Sequence, residues 1–337
     1  MYFEKFLNSM QPDIEARLKQ EINNTISEEF SELRKMLSYH MGWAGERTGS
    51  NTQGKRLRPL LLLISNEAVG SDWKKALPIA AAVELINNFS LIHDDIQDNS
   101  HIRRGRDTVW VKWGIPQAIN AGDLMFTIAH LSLLAIQENF PPEITLKTSQ
   151  IVLETCVRLT KGQFQDMFFE NDQGITLEKY WGMIERKTAA LISSCTQLGA
   201  ILGNSGTQCI ESFREFGLLL GLAFQVQDDW LGIWGNSGVT GKSTESDLVS
   251  GKKTLPVLYA IQNDPKFSKL WSKGTISVEE APNIAEMLIN NGTQKFTQNT
   301  VEQLTTDALN VLKKTKKKND AIEALKELAL QLTFRNN

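Results

Sequence analysis

Residues 72–98 read DWKKALPIAAAVELINNFSLIHDDIQD. Apolar side chains recur through this stretch at three- and four-residue steps, the spacing of one buried stripe on a helix. The stripe ends in carboxylates. At about 100° per residue, Asp94 and Asp98 lie on one helix face within about 40° of each other, and Asp95 sits one step round. Like charges at that spacing repel. A solvated acidic helix end is the plain reading. These aspartates, however, follow Leu91 and Ile92 within the apolar stripe, and carboxylates carried toward a core demand a partner. A hard divalent cation with oxygen ligands is one such partner.

The same periodicity extends in both directions. Ile14, Leu18, Ile22, Ile26, Phe30, Leu33 and Leu37 form one stripe, predicting a long helix, and further stripes run through 117–138, 144–168, 177–203, 211–234 and 255–262. Sustained apolar/polar alternation with hairpin turns is absent, so few strands are expected. Two polar, glycine-bearing stretches, 43–54 and 235–251, read as loops. No interdomain linker or solenoid repeat interrupts the pattern. The expectation is an all-α fold, a single-domain bundle of about ten or more helices around a central cavity, spanning 1–337.

Of 337 residues, 41% are hydrophobic and 22% charged, with a net charge of −3. That balance excludes a disordered chain and gives no bulk electrostatic case for nucleic-acid binding. Cys156, Cys195 and Cys209 are odd in number and lack metal-ligand spacing, as expected of a reducing, cytoplasmic compartment. The first residues lack the basic-then-apolar order of a signal peptide. The longest uncharged stretch, 188–210, is broken by polar residues and glycine, so no membrane span is expected.

A second acidic cluster, Asp228-Asp229, follows Phe224-Gln225-Val226-Gln227 on another apolar stripe. Two such helix ends facing each other across a cavity would suit magnesium, which keeps waters and takes one or two protein carboxylates plus substrate phosphates. Cations accompany both clusters. Lys55 and Arg58, in Gly54-Lys55-Arg56-Leu57-Arg58-Pro59, are placed on one side of a helical turn; Arg103-Arg104-Gly105 follows the first cluster; Lys187-Thr188 opens a helix; Lys252-Lys253-Thr254 follows the second. Arginine and lysine are the usual binders of phosphate oxygens.

With Asn120-Ala121-Gly122-Asp123 and Gly162-Gln163-Phe164-Gln165-Asp166 between them, these motifs occur in family order over about 200 residues, and the chain resembles the trans-isoprenyl diphosphate synthases of the polyprenyl synthetase family. The resemblance implies the isoprenoid synthase type I fold and a magnesium-dependent condensation of isopentenyl diphosphate with an allylic diphosphate (dimethylallyl, geranyl or farnesyl). It implies that Asp94, Asp98 and Asp228 hold three magnesium ions, supported by Asp95 and Asp229. Arg103, Lys187 and Lys252 would contact the allylic diphosphate, and Lys55, Arg58 and Arg104 that of isopentenyl diphosphate. Thr188 and Gln225, with the Lys187 carbonyl, would present dipoles to the allylic cation. Gln163 and Asp166 would orient the cations. Family members are usually homodimers. His93 beside the acidic run reads as a structural histidine.

Two positions depart from the family pattern. Asn87 stands where a histidine seven residues before the first aspartate is common, so weaker binding of isopentenyl diphosphate is expected. Gly232 replaces the third aspartate of the second motif, giving D-D-x-x-G, and Asp247 is the nearest candidate to add acidity. Phe89, with Ser90 beside it, projects about one helical turn of 5.4 Å below Asp94. It reads either as a core phenylalanine or as the floor of an elongation pocket, and a single aromatic there resembles family members making geranylgeranyl diphosphate. A class I terpene cyclase and a non-catalytic regulatory subunit share the fold. Lys55, Arg58 and Arg104 speak against the first, which needs no second diphosphate pocket, and the intact Asp94, Asp98, Asp228 and Lys252 against the second.

Overall fold

The computed structural model describes residues 1–46, 48–172, 174–235 and 246–333. The all-α expectation holds: among the described residues the only strands form a two-residue antiparallel ribbon, β1 (Ile102–Arg103) and β2 (Arg106–Asp107), with Ile102 opposite Asp107. The helices of seven or more residues are α1 (Tyr2–Thr25), α2 (Ser31–His40), α3 (Leu57–Ala68), α4 (Leu77–Gln97), α5 (Ile115–Leu134), α6 (Pro142–Asn171), α7 (Leu177–Ile184), α8 (Ala190–Leu202), α9 (Thr207–Trp234), α10 (Leu255–Asn263), α11 (Pro265–Trp271), α12 (Ala281–Asn290), α13 (Thr293–Lys314) and α14 (Asp320–Thr333).

The N-terminal stripe is two helices, not one. α1 ends at Thr25, Ile26 is extended, and a single 3-10 turn at Glu28–Phe30 leads into α2. Asn23, Asn24, Thr25 and Ser27 hydrogen-bond locally and favour helix ends; the Thr25 hydroxyl donates to the Glu21 carbonyl at 2.8 Å. Phe30, expected on the stripe, is exposed as a result. Within the predicted loop 43–54, Ser50–Gln53 is a helical turn, and Ser246–Val249 is another in the second. Residues 236–245 of that second loop lie outside the described residues.

The chain divides into two compact units: Met1–Leu153 with Cys195–Ile210 and Lys317–Leu325, and Glu154–Ser194 with Glu211–Lys316 and Lys326–Asn337. In the first, α4 packs along α5 and also meets α1 and α3. Met10, Ile14, Leu18 and Ile22 of α1 and Leu60 to Ile64 of α3 are buried there. Each such side chain contributes roughly 1.5–3 kcal/mol of burial free energy. In the second unit one cluster gathers Ile233, Leu248, Val257 and Phe267, and another Tyr180, Ile184, Val226 and Leu255. Among the described residues two helical stretches, Trp73–Gln97 and Ile115–Glu138, are long and apolar enough to cross a membrane; 72% of the apolar window of the first is buried inside the protein, and 44% of the second.

Candidate functional site

In the first unit the acidic cluster closes α4. Asp98 caps the helix, its N–H donating to the Asp94 carbonyl at 2.8 Å. Carboxylates at a helix C-terminus meet the negative end of the macrodipole, which adds to their mutual repulsion and favours a bound cation. The three differ in exposure: Asp95 is buried, Asp94 half-buried and Asp98 exposed. Asp95 is an anchor. The Nε–H of Arg103, on β1, is shared between its two carboxylate oxygens at 2.8 and 2.9 Å. Burial pushes the Asp95 carboxyl up to about 6, against the pull of Arg103.

The ribbon turns through Arg104 and Gly105, both with positive φ (52° and 72°). This tight reversal brings three arginines to one small cavity, lined by Arg103, Arg104 and Arg106 with Asp95, His40 and Thr52. Arg104 is fixed by its Nη1, which donates to the carbonyls of Thr52 (3.1 Å) and Gln53 (3.2 Å). Burial lowers its guanidinium to about 10, with Arg56 and Arg103 adding to the effect and Glu84 opposing it. His40, buried and beside Arg104 and Arg103, is held neutral, well below the usual histidine range, burial being the larger cause. A concave surface so rich in arginine suits an anion with several oxygens.

Lys55 and Arg58 are not on one helical turn, contrary to the spacing argument. Arg56 between them is left-handed (φ 48°) and is the N-cap of α3, so Lys55 precedes the helix. The reason is tertiary. The Arg56 side chain is fully buried, paired with Glu15 (2.6 Å) and Glu84 (3.0 Å), and donates to the Met41 carbonyl at 3.2 Å. Lys55 is exposed and Arg58 half-buried. Asn87 is buried, and its carbonyl accepts the Ser90 hydroxyl at 2.9 Å.

Phe89 packs its ring 4.6 Å from that of Phe126 on α5, which in turn meets His130 at 4.4 Å. Phe126 carries no motif and was not expected. The ring of His93 lies over Gly122, where a methyl group would stand 2.2 Å from Nε2, and Nε2 is 3.6 Å from an oxygen of Asp123, a packing that suits a structural histidine. Gly122 of Asn120–Asp123 thus makes the room that this imidazole occupies.

In the second unit, Asp166, Lys187, Gln225, Asp228 and Lys252 line one cavity, together with Asp229 and Asp247. Gln163 is not among its lining residues; it is half-buried on α6. The division seen in the first unit recurs. Asp228 is exposed and Asp229 buried. Asp229 accepts from the Tyr180 hydroxyl (2.5 Å), the Leu255 N–H (3.0 Å) and Gln225 Nε2 (2.9 Å). Burial nonetheless pushes it up to about 7. Gln225 is fixed at its other end by the Thr188 hydroxyl, which donates to Oε1 at 2.6 Å.

Lys187 and Thr188 lie in a π-helical segment, Glu185–Ala189, between α7 and α8. Such single-turn bulges re-aim side chains and recur at functional sites. Lys187 is paired with Asp166. Gly162 lets α6 reach this segment: a methyl group there would stand 2.3 Å from the Lys187 nitrogen. Lys253 donates to the Phe169 (2.7 Å) and Glu170 (2.8 Å) carbonyls at the end of α6, leaving Lys252 exposed. Tyr180, Gly162 and Lys253 hold the functional groups in place, and none of the three was singled out for this from the sequence.

Among the described residues no three histidine, cysteine, aspartate or glutamate side chains gather as a preformed metal cage. The donors of both clusters, on α4 and α9, are carboxylate oxygens. That set fits magnesium, which keeps several waters and takes one or two protein carboxylates plus substrate phosphates.

A family model described as Polyprenyl synthetase matches residues 46–288. A geranylgeranyl diphosphate synthase of Methanosarcina mazei is 40% identical over 246 residues, 73% of this chain and 75% of that protein. Among solved structures, a geranylgeranyl pyrophosphate synthetase from Pyrococcus horikoshii superposes with a TM-score of 0.88 at 29% identity, covering 99% of this chain and all of that one. A geranylgeranyl pyrophosphate synthase from Corynebacterium glutamicum, complexed with isoprenyl diphosphate and magnesium, superposes with a TM-score of 0.85 at 25% identity, covering 99% of each chain.

Proposed function

Because the chain belongs to the polyprenyl synthetase family, we propose that it joins isopentenyl diphosphate head to tail to an allylic diphosphate. It is a prenyltransferase whose product is a short all-trans prenyl diphosphate, geranylgeranyl diphosphate. The observation that carries this reading is the repeated arrangement on two helices, at the C-cap of α4 and about a turn and a half before the end of α9. Each has a buried aspartate held by a fixed donor, Arg103 or Tyr180, beside a more accessible aspartate and near phosphate-binding cations.

In this reading residues 1–337 are one prenyl diphosphate synthase domain. Asp94 on α4, Asp98 at its C-cap and Asp228 of α9 would hold magnesium for the allylic diphosphate, three ions being expected with the diphosphate bound. Arg103, Lys187 and Lys252 bind the same group, while Lys55, Arg58, Asn87 and Arg104 hold isopentenyl diphosphate. Bound magnesium supplies positive charge that stabilises the leaving diphosphate. The allylic carbon–oxygen bond breaks and its electron pair leaves with the diphosphate. The double bond of isopentenyl diphosphate then attacks the allylic carbon, and the released diphosphate takes the proton. Thr188 and Gln225, locked to each other and to Asp229, turn fixed dipoles toward the cation at no reorganisation cost. Asp95, Gln163, Asp166 and Asp229 keep the charged groups aimed.

α6 supports a homodimer. Leu146, Val157 and Phe168, and likewise Leu153 and Phe164, recur at eleven-residue steps, so they share one helix face within about 20° per step, and all five are exposed. Free Cys156, Cys195 and Cys209 support a cytoplasmic location. Incubation with labelled isopentenyl diphosphate and dimethylallyl, geranyl or farnesyl diphosphate tests the reading. Magnesium-dependent elongation that Asp94→Ala and Asp228→Ala abolish is expected; cyclised hydrocarbon, or no product with any primer, refutes it.

A further inference from the structure

The β1–β2 ribbon holds the polar stretch 43–54 near both of its ends. Toward the far end, Arg104 Nη1 donates to the carbonyls of Thr52 and Gln53 at 3.1 and 3.2 Å. Toward the near end, Arg106 Nη2 donates to the carbonyl of Ala44 at 2.8 Å. A glycine makes room for each guanidinium. A methyl group at Gly54 (φ 79°) would stand 2.9 Å from Arg104 Nη2; one at Gly45 (φ 89°) would stand 3.0 Å from Arg106 Nη2 and 2.8 Å from Cδ2 of Tyr39. Tyr39, at the end of α2, completes the near attachment. The guanidinium carbon of Arg106 lies 3.9 Å from the centre of its ring, and its hydroxyl donates to the Asp107 carbonyl at 2.8 Å. Two neighbouring residues of β2 thus grip the end of α2 and the start of the loop.

Stability alone does not account for a cation at position 106. Arg106 is 8% exposed, the ribbon register sets it opposite Arg103, and among the described residues no carboxylate pairs with it. Like charges opposed across a ribbon repel, and a buried cation without a counter-ion is costly. Its Nε–H is also buried with no hydrogen-bond partner. Stacking on Tyr39 offsets only part of this. What the guanidinium supplies is placement. The ribbon is fixed independently at the first acidic cluster, where Asp95 accepts from Arg103 and its carbonyl accepts the Ser100 N–H at 2.9 Å. The loop is therefore held in register with that cluster, and Lys55 follows Gly54 directly.

Resting on the assignment of Lys55 and Arg104 to isopentenyl diphosphate, we propose that Arg106 is a positioning residue for that subsite. It touches no substrate. By holding Ala44 and Tyr39 it sets the loop so that Lys55 meets the diphosphate. The allylic subsite does not depend on it, because Arg103 is anchored separately on Asp95.

The test is steady-state kinetics of the full-length enzyme with each substrate varied in turn, backed by unfolding midpoints. Arg106→Gln removes the charge and the stack. It is expected to raise KM for isopentenyl diphosphate about 10-fold while kcat and the allylic KM stay within about twofold, the pattern of lost binding rather than lost chemistry. Tyr39→Phe keeps the ring and removes only the bond to Asp107; it is expected to raise the same KM about threefold, the worth of one hydrogen bond. The double variant is expected to match Arg106→Gln within about twofold, since both groups serve one attachment. A wild-type KM for isopentenyl diphosphate in Arg106→Gln, or in Tyr39→Phe where Arg106→Gln fails to fold, overturns the proposal. Equal rises in both KM values overturn it as well, whatever the midpoints. Lys55→Ala separates the layers. If it leaves KM for isopentenyl diphosphate unchanged, the subsite assignment itself fails. If it raises that KM while Arg106→Gln does not, only the role of Arg106 fails.

Discussion

Gly162→Ala tests how closely α6 must approach the π-helical segment. A methyl group at 162 would stand 2.3 Å from the Lys187 nitrogen, 2.6 Å from its Cα and 2.8 Å from the Arg186 carbonyl carbon. Non-bonded heavy atoms keep about 3.5 Å, so the two elements must part by about 1.2 Å. The obstructing atoms are backbone, and no side-chain rotation relieves them. Overpacking of this kind costs about 1–3 kcal/mol, offset by up to about 1 kcal/mol from replacing glycine inside a helix. The net loss lowers the unfolding midpoint by a few degrees. The larger effect is on rate, because the displaced backbone carries Lys187 and Thr188, and a shift of about 1 Å in a positioning group costs on the order of 100-fold. Steady-state condensation assays should show kcat down about 10- to 100-fold. Gly206→Ala, with open space around it, serves as the neutral control. A Gly162→Ala enzyme with wild-type kcat and midpoint would refute the reasoning.

Phe89→Ala is expected to shift product toward longer chains, read by chromatography of the dephosphorylated products; an unaltered distribution counts against the Phe89–Phe126 floor. Asn87→His is expected to lower KM for isopentenyl diphosphate, and no change would remove Asn87 from that pocket. Glu84→Gln leaves Arg56 buried with Glu15 as its remaining carboxylate, and chemical denaturation should show a loss of about 3 kcal/mol. His40 is neutral in the folded protein, with its pKa depressed well below the ordinary 6.5, so the unfolded chain takes up the proton first. The stability associated with His40 is complete above pH 6.5 and is lost as pH falls below it, by up to about 1.4 kcal/mol per pH unit. His40→Gln should flatten that slope in pH-dependent denaturation; an unchanged slope would rule His40 out as its source.

The helices were readable because their stripes are strong. The apolar runs of 72–98 and 211–234 fall within or near α4 and α9, and both acidic clusters sit near the C-terminal ends of those helices. What escaped depends on partners remote in sequence. Tyr180 reaches Asp229 from 49 positions away, and nothing local distinguishes it from a core tyrosine. The left-handed Arg56 that separates Lys55 from Arg58 is held by Glu15 and Glu84, so a spacing rule that assumes a continuous helix fails there. Gly162 and Gly232 were visible as motif letters, but their reason is the backbone of 187 and the carboxylate of 247.

The π-helical segment Glu185–Ala189 takes up a spare residue. α7 buries Tyr180, Met183 and Ile184 before it, and Ala189, Ala190 and Leu191 are buried at and after it. Deleting one residue within it would relax the turn to ordinary α-helical hydrogen bonding and leave the phase of α8 nearly unchanged, because the π turn spends its extra residue within a single turn. What the deletion would remove is the bulge that carries Lys187 and Thr188, so this stretch should lose its side-chain placement while keeping its packing.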